Sequence, residues 1–168
     1  QHILEAQQFT REDLEELFFI ADRLHGTRNK TLDGMIMAAL FYEPSTRTRL
    51  SFESAMHRLG GSVISTENAK EFSSAAKGET IEDTMQMVNH YADLAVIRHY
   101  EKGMCERASK ASLIPVVNAG DGPGQHPTQA LLDLYTILKE VGKVDGITLT
   151  AVGDLKNGRT IRSLSYLL

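Results

Sequence analysis

Apolar and polar positions change rhythm several times along the chain, and each change marks an element. Leu14, Leu17, Phe18, Ala21 and Leu24 recur at helical spacing, and Thr10 with Asp13 supplies the hydroxyl and carboxylate of a reciprocal cap ahead of them. Residues 35–41 are continuously apolar, with the length and character of a strand buried on both faces. Phe52, Ala55, Met56 and Leu59 then return to helical spacing until Gly60-Gly61 stops the run. Residues 62–66 suit a short strand, and residues 67–79 are polar without periodicity, which predicts a long exposed loop. Thr80 and Asp83 cap a helix carrying Ile81, Met85 and Val88. Further buried strands are expected at 94–97, 114–117 and 147–152, with helical segments over 101–110 and 127–141 between them. This alternation, without repeats or low-complexity segments, predicts an α/β fold around a parallel sheet.

In such a fold the chemistry collects where strands end. The first buried strand runs into Ser45-Thr46-Arg47-Thr48-Arg49, and an amphipathic helix follows directly. Free N–H groups in a first helical turn and the positive end of the helix dipole favour an anion; Ser45 can cap and Arg47 can add a charged fork. An isolated Ser-Thr pair would read as a plain cap, but two arginines and three hydroxyls within five positions favour a ligand. The next strand delivers Arg98-His99, and another delivers a glycine-rich run that ends Gln125-His126-Pro127-Thr128-Gln129. Pro127 suits a first helical position, so His126 is expected at a helix start, where the dipole depresses its pKa and favours a neutral imidazole. On spacing alone a structural role and a functional role for His126 are evenly matched, whereas His57, His90 and His99 read as structural.

The last predicted strand end, Val152-Gly153-Asp154-Leu155-Lys156-Asn157-Gly158-Arg159-Thr160, has the spacing of a P-loop with arginine where lysine belongs. Arginine's rigid fork fits a carboxylate or phosphate edge better than it fits the lysine's role between terminal phosphates, so a nucleotide site is the weaker reading. A ligand role suits Arg159 more than Lys156. No histidine or carboxylate pair has metal-ligand spacing, and neither a Gly-x-Ser-x-Gly elbow nor a Cys-His pairing suggests a covalent nucleophile. Direct transfer driven by charge stabilisation is the chemistry that remains.

Composition narrows the setting. The 168 residues, 42% hydrophobic, suffice for a real core, and a formal charge of -4 gives no reason to expect nucleic acid or a membrane surface. The single cysteine, Cys105, excludes an internal disulfide and a cysteine metal cage, and reads as a small buried hydrophobe. No apolar run approaches a membrane span, and residues 1–11 lack the regions of a signal peptide, so a cytoplasmic protein is expected.

Several motifs, taken together, resemble a known family, the aspartate/ornithine carbamoyltransferases. Residues 41–53, containing Ser45-Thr46-Arg47-Thr48-Arg49, are similar to its carbamoyl-phosphate signature; Ala76-Lys77-Gly78-Glu79-Thr80, Ile97-Arg98-His99, Gln125-His126-Pro127-Thr128-Gln129 and Val152-Gly153-Asp154-Leu155 follow in the family's order. Lys77 and Thr128 favour the aspartate branch over the ornithine branch, and Tyr100 departs from a common proline. The resemblance implies a carbamoyl-phosphate domain over 1–125 with helices on both faces of its sheet, a linking helix over 126–141 and the beginning of an aspartate-binding α/β domain over 142–168. It implies transfer of a carbamoyl group from carbamoyl phosphate to L-aspartate in pyrimidine synthesis, without a cofactor or metal. Ser45, Thr46, Arg47 and Thr48 would hold phosphate; Thr48, Arg98 and His126 would polarise the carbonyl; Gln129 would orient the carbamoyl nitrogen and Arg159 would grip aspartate. Ser73 and Lys77 would enter a neighbouring subunit's site, implying a homotrimer, with regulatory subunits or fused pathway enzymes as further partners. Relatives continue beyond Leu168, so this stretch by itself is expected to lack a complete aspartate site; a non-catalytic phosphate-binding or assembly module of the same fold is the alternative.

Overall fold

The computed structural model describes residues 1–67 and 78–168. Four parallel strands, β1 (Ile36–Phe41), β2 (Ser62–Glu67), β3 (Leu94–His99) and β4 (Val116–Asp121), form a sheet in the order β2-β1-β3-β4. Six α-helices accompany them among the described residues: α1 (Arg11–Leu24), α2 (Thr46–Arg58), α3 (Ile81–Val88), α4 (Met104–Ala111), α5 (Pro127–Val141) and α6 (Arg159–Ser165). The capping boxes expected from Thr10 with Asp13 and Thr80 with Asp83 both form.

The apolar run of β1 is central, and its alternate side chains supply two cores. Ala38 and Leu40, with Ala95 and Ile97 of β3, pack under α3 and α4, where Met85 and Cys105 are buried. Met37, Ala39 and Phe41, with Val96, face Met56 and Phe52 of α2. Helices therefore cover both faces, which is why β1 and β3 carry hydrophobic residues at successive positions rather than alternate ones. Cys105 donates weakly to the Ile97 carbonyl, and burial pushes its thiol pKa up, consistent with a packing role. A third cluster joins Leu134 of α5 to Leu164 of α6, with Leu14 and Phe18 of α1 against them.

Two predicted strands need correction. The strand expected at 114–117 begins at Val116 and runs on through Asn118-Ala119-Gly120-Asp121, residues that read as a loop. Their polarity is tolerated because it is satisfied: the Asn118 side chain donates to the Leu4 carbonyl and accepts from the Gly120 N–H, while Ile3 bridges to Val117 along the outer side of β4. The register slips between Ile97 and His99, a bulge that sets Ala119 and Gly120 beside Arg98. The strand expected at 147–152 does not form. Among the described residues no strand lies beside it to complete a ladder, and Val152 is 93% exposed, so its β-branched residues lack the paired, half-buried surface that would hold them extended. Only the helix α6 of the expected second unit is present as regular structure. The expected loop over 67–79, with Ser73 and Lys77, falls almost wholly outside the described residues.

Candidate active site

The strand order reverses between β1 and β3, because the chain steps from β1 outward to β2 and from β3 outward to β4. The crevice beyond the carboxyl ends of those two strands is where an open parallel sheet presents ligand-binding loops. Ser45 there is the N-cap residue of α2, with Thr46, Arg47 and Thr48 forming its first turn. The expected cap by the Ser45 side chain is not made: with φ -161° and ψ 81° the backbone places Ser45 at the cap position, but its hydroxyl accepts no first-turn N–H. Hydroxyls and N–H groups are thus not committed to one another, which suits an anion site better than a self-satisfied cap.

A cleft of about 590 Å³ runs from this turn between α1, α2 and α5. Arg47 and Thr48 line its polar end together with His126, Thr128 and Gln129, while Phe18, Phe52 and Leu132 line the apolar remainder. Arg47 and Thr48 thus share this cleft with His126 and Gln129, about eighty residues later, whereas Ser45, Thr46, Arg98 and Arg159 are not part of its lining. The Gln129 side-chain nitrogen donates to Asp133 at 2.9 Å, which leaves the amide oxygen as its acceptor.

His126 is the N-cap residue of α5, Pro127 occupies the first helical position, and the His126 backbone N–H donates to the buried Ser163 hydroxyl at 3.0 Å. The imidazole is 5% exposed, and its Nδ1 lies 3.4 Å from the Thr128 hydroxyl. Its pKa falls to about 4, chiefly through burial and then through the charges of Arg159 and Arg98. Burial and the two guanidinium groups thus favour the neutral ring expected of a histidine at a helix start.

Arg98 and Arg159 converge on Glu43, a residue the sequence reading passed over. Its Oε1 lies 2.6 Å from Arg98 Nη2 and 2.9 Å from Arg159 Nη2. Arg98 also donates to the Ala119 carbonyl and Arg159 to the Gly122 carbonyl, so both forks are held against the bulged end of β4. Gly120, at φ +114°, lets them approach: a Cβ there would stand 3.1 Å from the Arg159 guanidinium carbon. Burial, and then the charge of Arg159, pushes the Arg98 pKa down while Glu43 opposes the shift; the guanidinium remains protonated. Arg98 Nε is buried without a hydrogen-bond partner among the described residues. The only signal for Glu43 in the sequence was an acidic residue between a strand end and the arginine-rich turn.

The P-loop comparison does not survive the geometry. No strand precedes Gly153, Lys156 is exposed, and the turn closes on itself through Asp154, which accepts from the Asn157 backbone and side chain. Among the described residues no group of three or more histidine, cysteine or carboxylate side chains could hold a metal, and no helix is long and apolar enough to cross a membrane. His57 and His99 make local hydrogen bonds to the backbone at 61 and 101, as structural residues do. Ser73 and Lys77 lie outside the described residues.

Comparison with known proteins places this geometry in context. An aspartate carbamoyltransferase of the pea Pisum sativum, named chloroplastic, is 61% identical over 99% of this chain and 44% of its own length. The aspartate carbamoyltransferase catalytic subunit of Thermoplasma acidophilum is 58% identical over 91% of this chain and 52% of its own. The crystal structure of aspartate transcarbamoylase from Trypanosoma cruzi in complex with carbamoyl aspartate and phosphate superposes with a TM-score of 0.94 at 45% identity, covering 99% of this chain and 53% of that one. The chain thus spans about half the length of these relatives. Plant relatives from pea, rice and Arabidopsis thaliana are all named chloroplastic, which overturns the expected cytoplasmic location; residues 1–11, lacking signal-peptide features, carried no information about an organelle. The family pattern described as the carbamoyl-phosphate-binding domain of aspartate/ornithine carbamoyltransferases matches residues 1–139, and with the shared fold and the converging loops it shows that the chain belongs to that family.

Proposed function

We propose that this chain forms the carbamoyl-phosphate half of an enzyme that transfers the carbamoyl group of carbamoyl phosphate to the amino group of L-aspartate, giving N-carbamoyl-L-aspartate and phosphate. The observation that carries this reading is the first turn of α2, with Arg47 and Thr48, opening onto the same cleft as His126 at the strand-order reversal. Ser45, Thr46, Arg47 and Thr48 hold the phosphate. Thr48, Arg98 and the neutral His126 donate to the carbonyl oxygen, which gains negative charge as the amine attacks; the C–N bond forms, the C–O bond to phosphate breaks, the amine's proton passes to the departing phosphate, and no electron acceptor is required. Gln129 accepts from the carbamoyl nitrogen through its amide oxygen. Arg159 grips an aspartate carboxylate, for which it must exchange its contact with Glu43.

The divisions 1–125, 126–141 and 142–168 are retained as the carbamoyl-phosphate domain, linking helix and beginning of the aspartate-binding domain. The relatives' names favour aspartate as the acceptor and a plastid as the location. Replacing Arg47 by alanine removes a charged fork and leaves only neutral donors. Carbamoyl phosphate affinity measured by calorimetry is expected to fall roughly tenfold to a hundredfold. Unchanged affinity would mean that Arg47 is merely solvated.

The reading further assigns Ser73 and Lys77 to the site of an adjacent subunit in a homotrimer. Arg47→Ala and Lys77→Ala versions of the polypeptide carrying both halves are each expected to be nearly inactive and to regain activity when their subunits are mixed, because some interfaces then combine an intact phosphate loop with an intact Lys77. Absence of activity after subunit exchange has been verified by mass spectrometry would place Lys77 in its own chain's site or in none.

A further inference from the structure

Asp121 is a nearly buried carboxylate that the proposed reaction does not use. It ends β4 at 7% exposure, and no lysine or arginine lies within ion-pair distance of it among the described residues. Backbone N–H groups hold it instead. Oδ1 accepts from Gln125 N at 2.7 Å, with the Asn118 amide at 3.4 Å, and Oδ2 accepts from Gly103 N at 2.9 Å. Gly103 is the N-cap residue of α4, so one side chain ties the start of that helix to the loop that precedes α5. The backbone of Asp121 closes the same loop, accepting from Gly124 N and donating to the Gln125 carbonyl.

This arrangement leaves little freedom between residues 121 and 126. A Cβ at Gly124 would meet Asp121 Oδ1 at 2.4 Å, and one at Gly122, where φ is +51°, would meet the Tyr100 carbonyl at 2.4 Å. Gly122 N also donates to the His99 carbonyl. The residue that follows the clamped Gln125 is His126. Taking a carboxylate out of water without a counter-cation is costly, and apolar packing could fill the space without that cost; what the carboxylate supplies is geometry.

We propose that Asp121 is the positioning residue for His126: by holding Gln125 and the start of α4 together it fixes where the imidazole stands in the cleft. The proposal rests on the reading of His126 as a donor to the carbonyl oxygen. A donor of that kind is sensitive to placement, and a shift of about 1 Å can cost on the order of a hundredfold in rate.

The test is Asp121→Asn, which keeps the shape and one acceptor but turns an NH2 group towards either Gln125 N or Gly103 N. In the polypeptide carrying both halves, kcat is expected to fall about tenfold or more while the carbamoyl phosphate dissociation constant stays within about twofold, because the phosphate loop follows β1 and not β4. In NMR spectra of the present chain the His126 imidazole signals should shift or split, and those of His57 and His90 should stay in place. Gly124→Ala, which drives a methyl group into Asp121 Oδ1, should reproduce both changes and serves if Asp121→Asn does not fold. A folded variant with unchanged kcat and unchanged His126 signals would overturn the proposal, as would equal losses of kcat and affinity with all histidine signals displaced. If the wild-type chain binds no carbamoyl phosphate, the functional reading fails, whereas the imidazole shifts still decide whether Asp121 positions His126.

Discussion

Replacing His126 by alanine is expected to lower turnover by roughly a hundredfold to a thousandfold in the polypeptide that carries both halves, the range seen when one preorganised donor to a developing oxyanion is lost. The ring is buried, kept neutral down to a pKa of about 4 by burial and by two neighbouring guanidinium groups, and anchored through its backbone N–H to Ser163. At neutral pH the ring therefore carries one N–H, which can serve as a hydrogen-bond donor. Carbamoyl phosphate affinity should change much less, since the residues proposed to hold the phosphate belong to the turn after β1. Steady-state kinetics beside calorimetry separates the two effects. Full turnover in the variant would remove His126 from the reaction, and a matched loss of affinity would make it a ground-state binding residue.

The same burial makes the fold acid-sensitive. An unfolded histidine titrates near 6.5, whereas folded His126 does so at about 4, so between those values the unfolded chain binds the proton and the folded chain does not. Stability due to this group is present in full above the unfolded pKa, is lost as the pH falls towards 4, and levels off below that. The loss amounts to about 3 kcal/mol at most. Burial also lowers the pKa of His99, which acts in the same direction. The depressed carboxylates, among them Asp13, Asp22 and Asp145, lose their contribution only at lower pH, and they are exposed, so the window between pH 6.5 and 4 belongs mainly to the histidines. Urea midpoints should decline through that window, and His126→Gln should flatten the decline. A midpoint independent of pH there would show that the imidazole is not held neutral by burial.

What could be read from the sequence was local. Capping boxes at Thr10 and Thr80, the apolar run of β1, the hydroxyl- and arginine-rich turn, and His126 ahead of Pro127 each announce themselves within a few residues, because cap geometry and helix or strand periodicity are short-range. What escaped depends on distant partners. Asn118 and Asp121 look like loop residues until the Leu4 carbonyl and the Gly103 N–H are seen to satisfy them. Glu43 acquires significance only when Arg98 and Arg159, one on a strand and the other on a later helix, arrive at the same oxygen. The strand expected at 147–152 failed for the converse reason: a β-branched sequence remains irregular where no neighbouring strand is present among the described residues. The cytoplasmic assignment failed because nothing in the composition of the fold itself reports an organelle.

The most direct test of the account is a titration of this chain with carbamoyl phosphate, inorganic phosphate, and ATP with magnesium, followed by calorimetry and by NMR of backbone amides and arginine side chains. Saturable binding of carbamoyl phosphate is expected, with weaker binding of phosphate at the same place and shifts concentrated at residues 45–48, Arg98 and His126. Preference for nucleotide with magnesium, or carbamoyl phosphate binding that leaves those residues undisturbed, would contradict it.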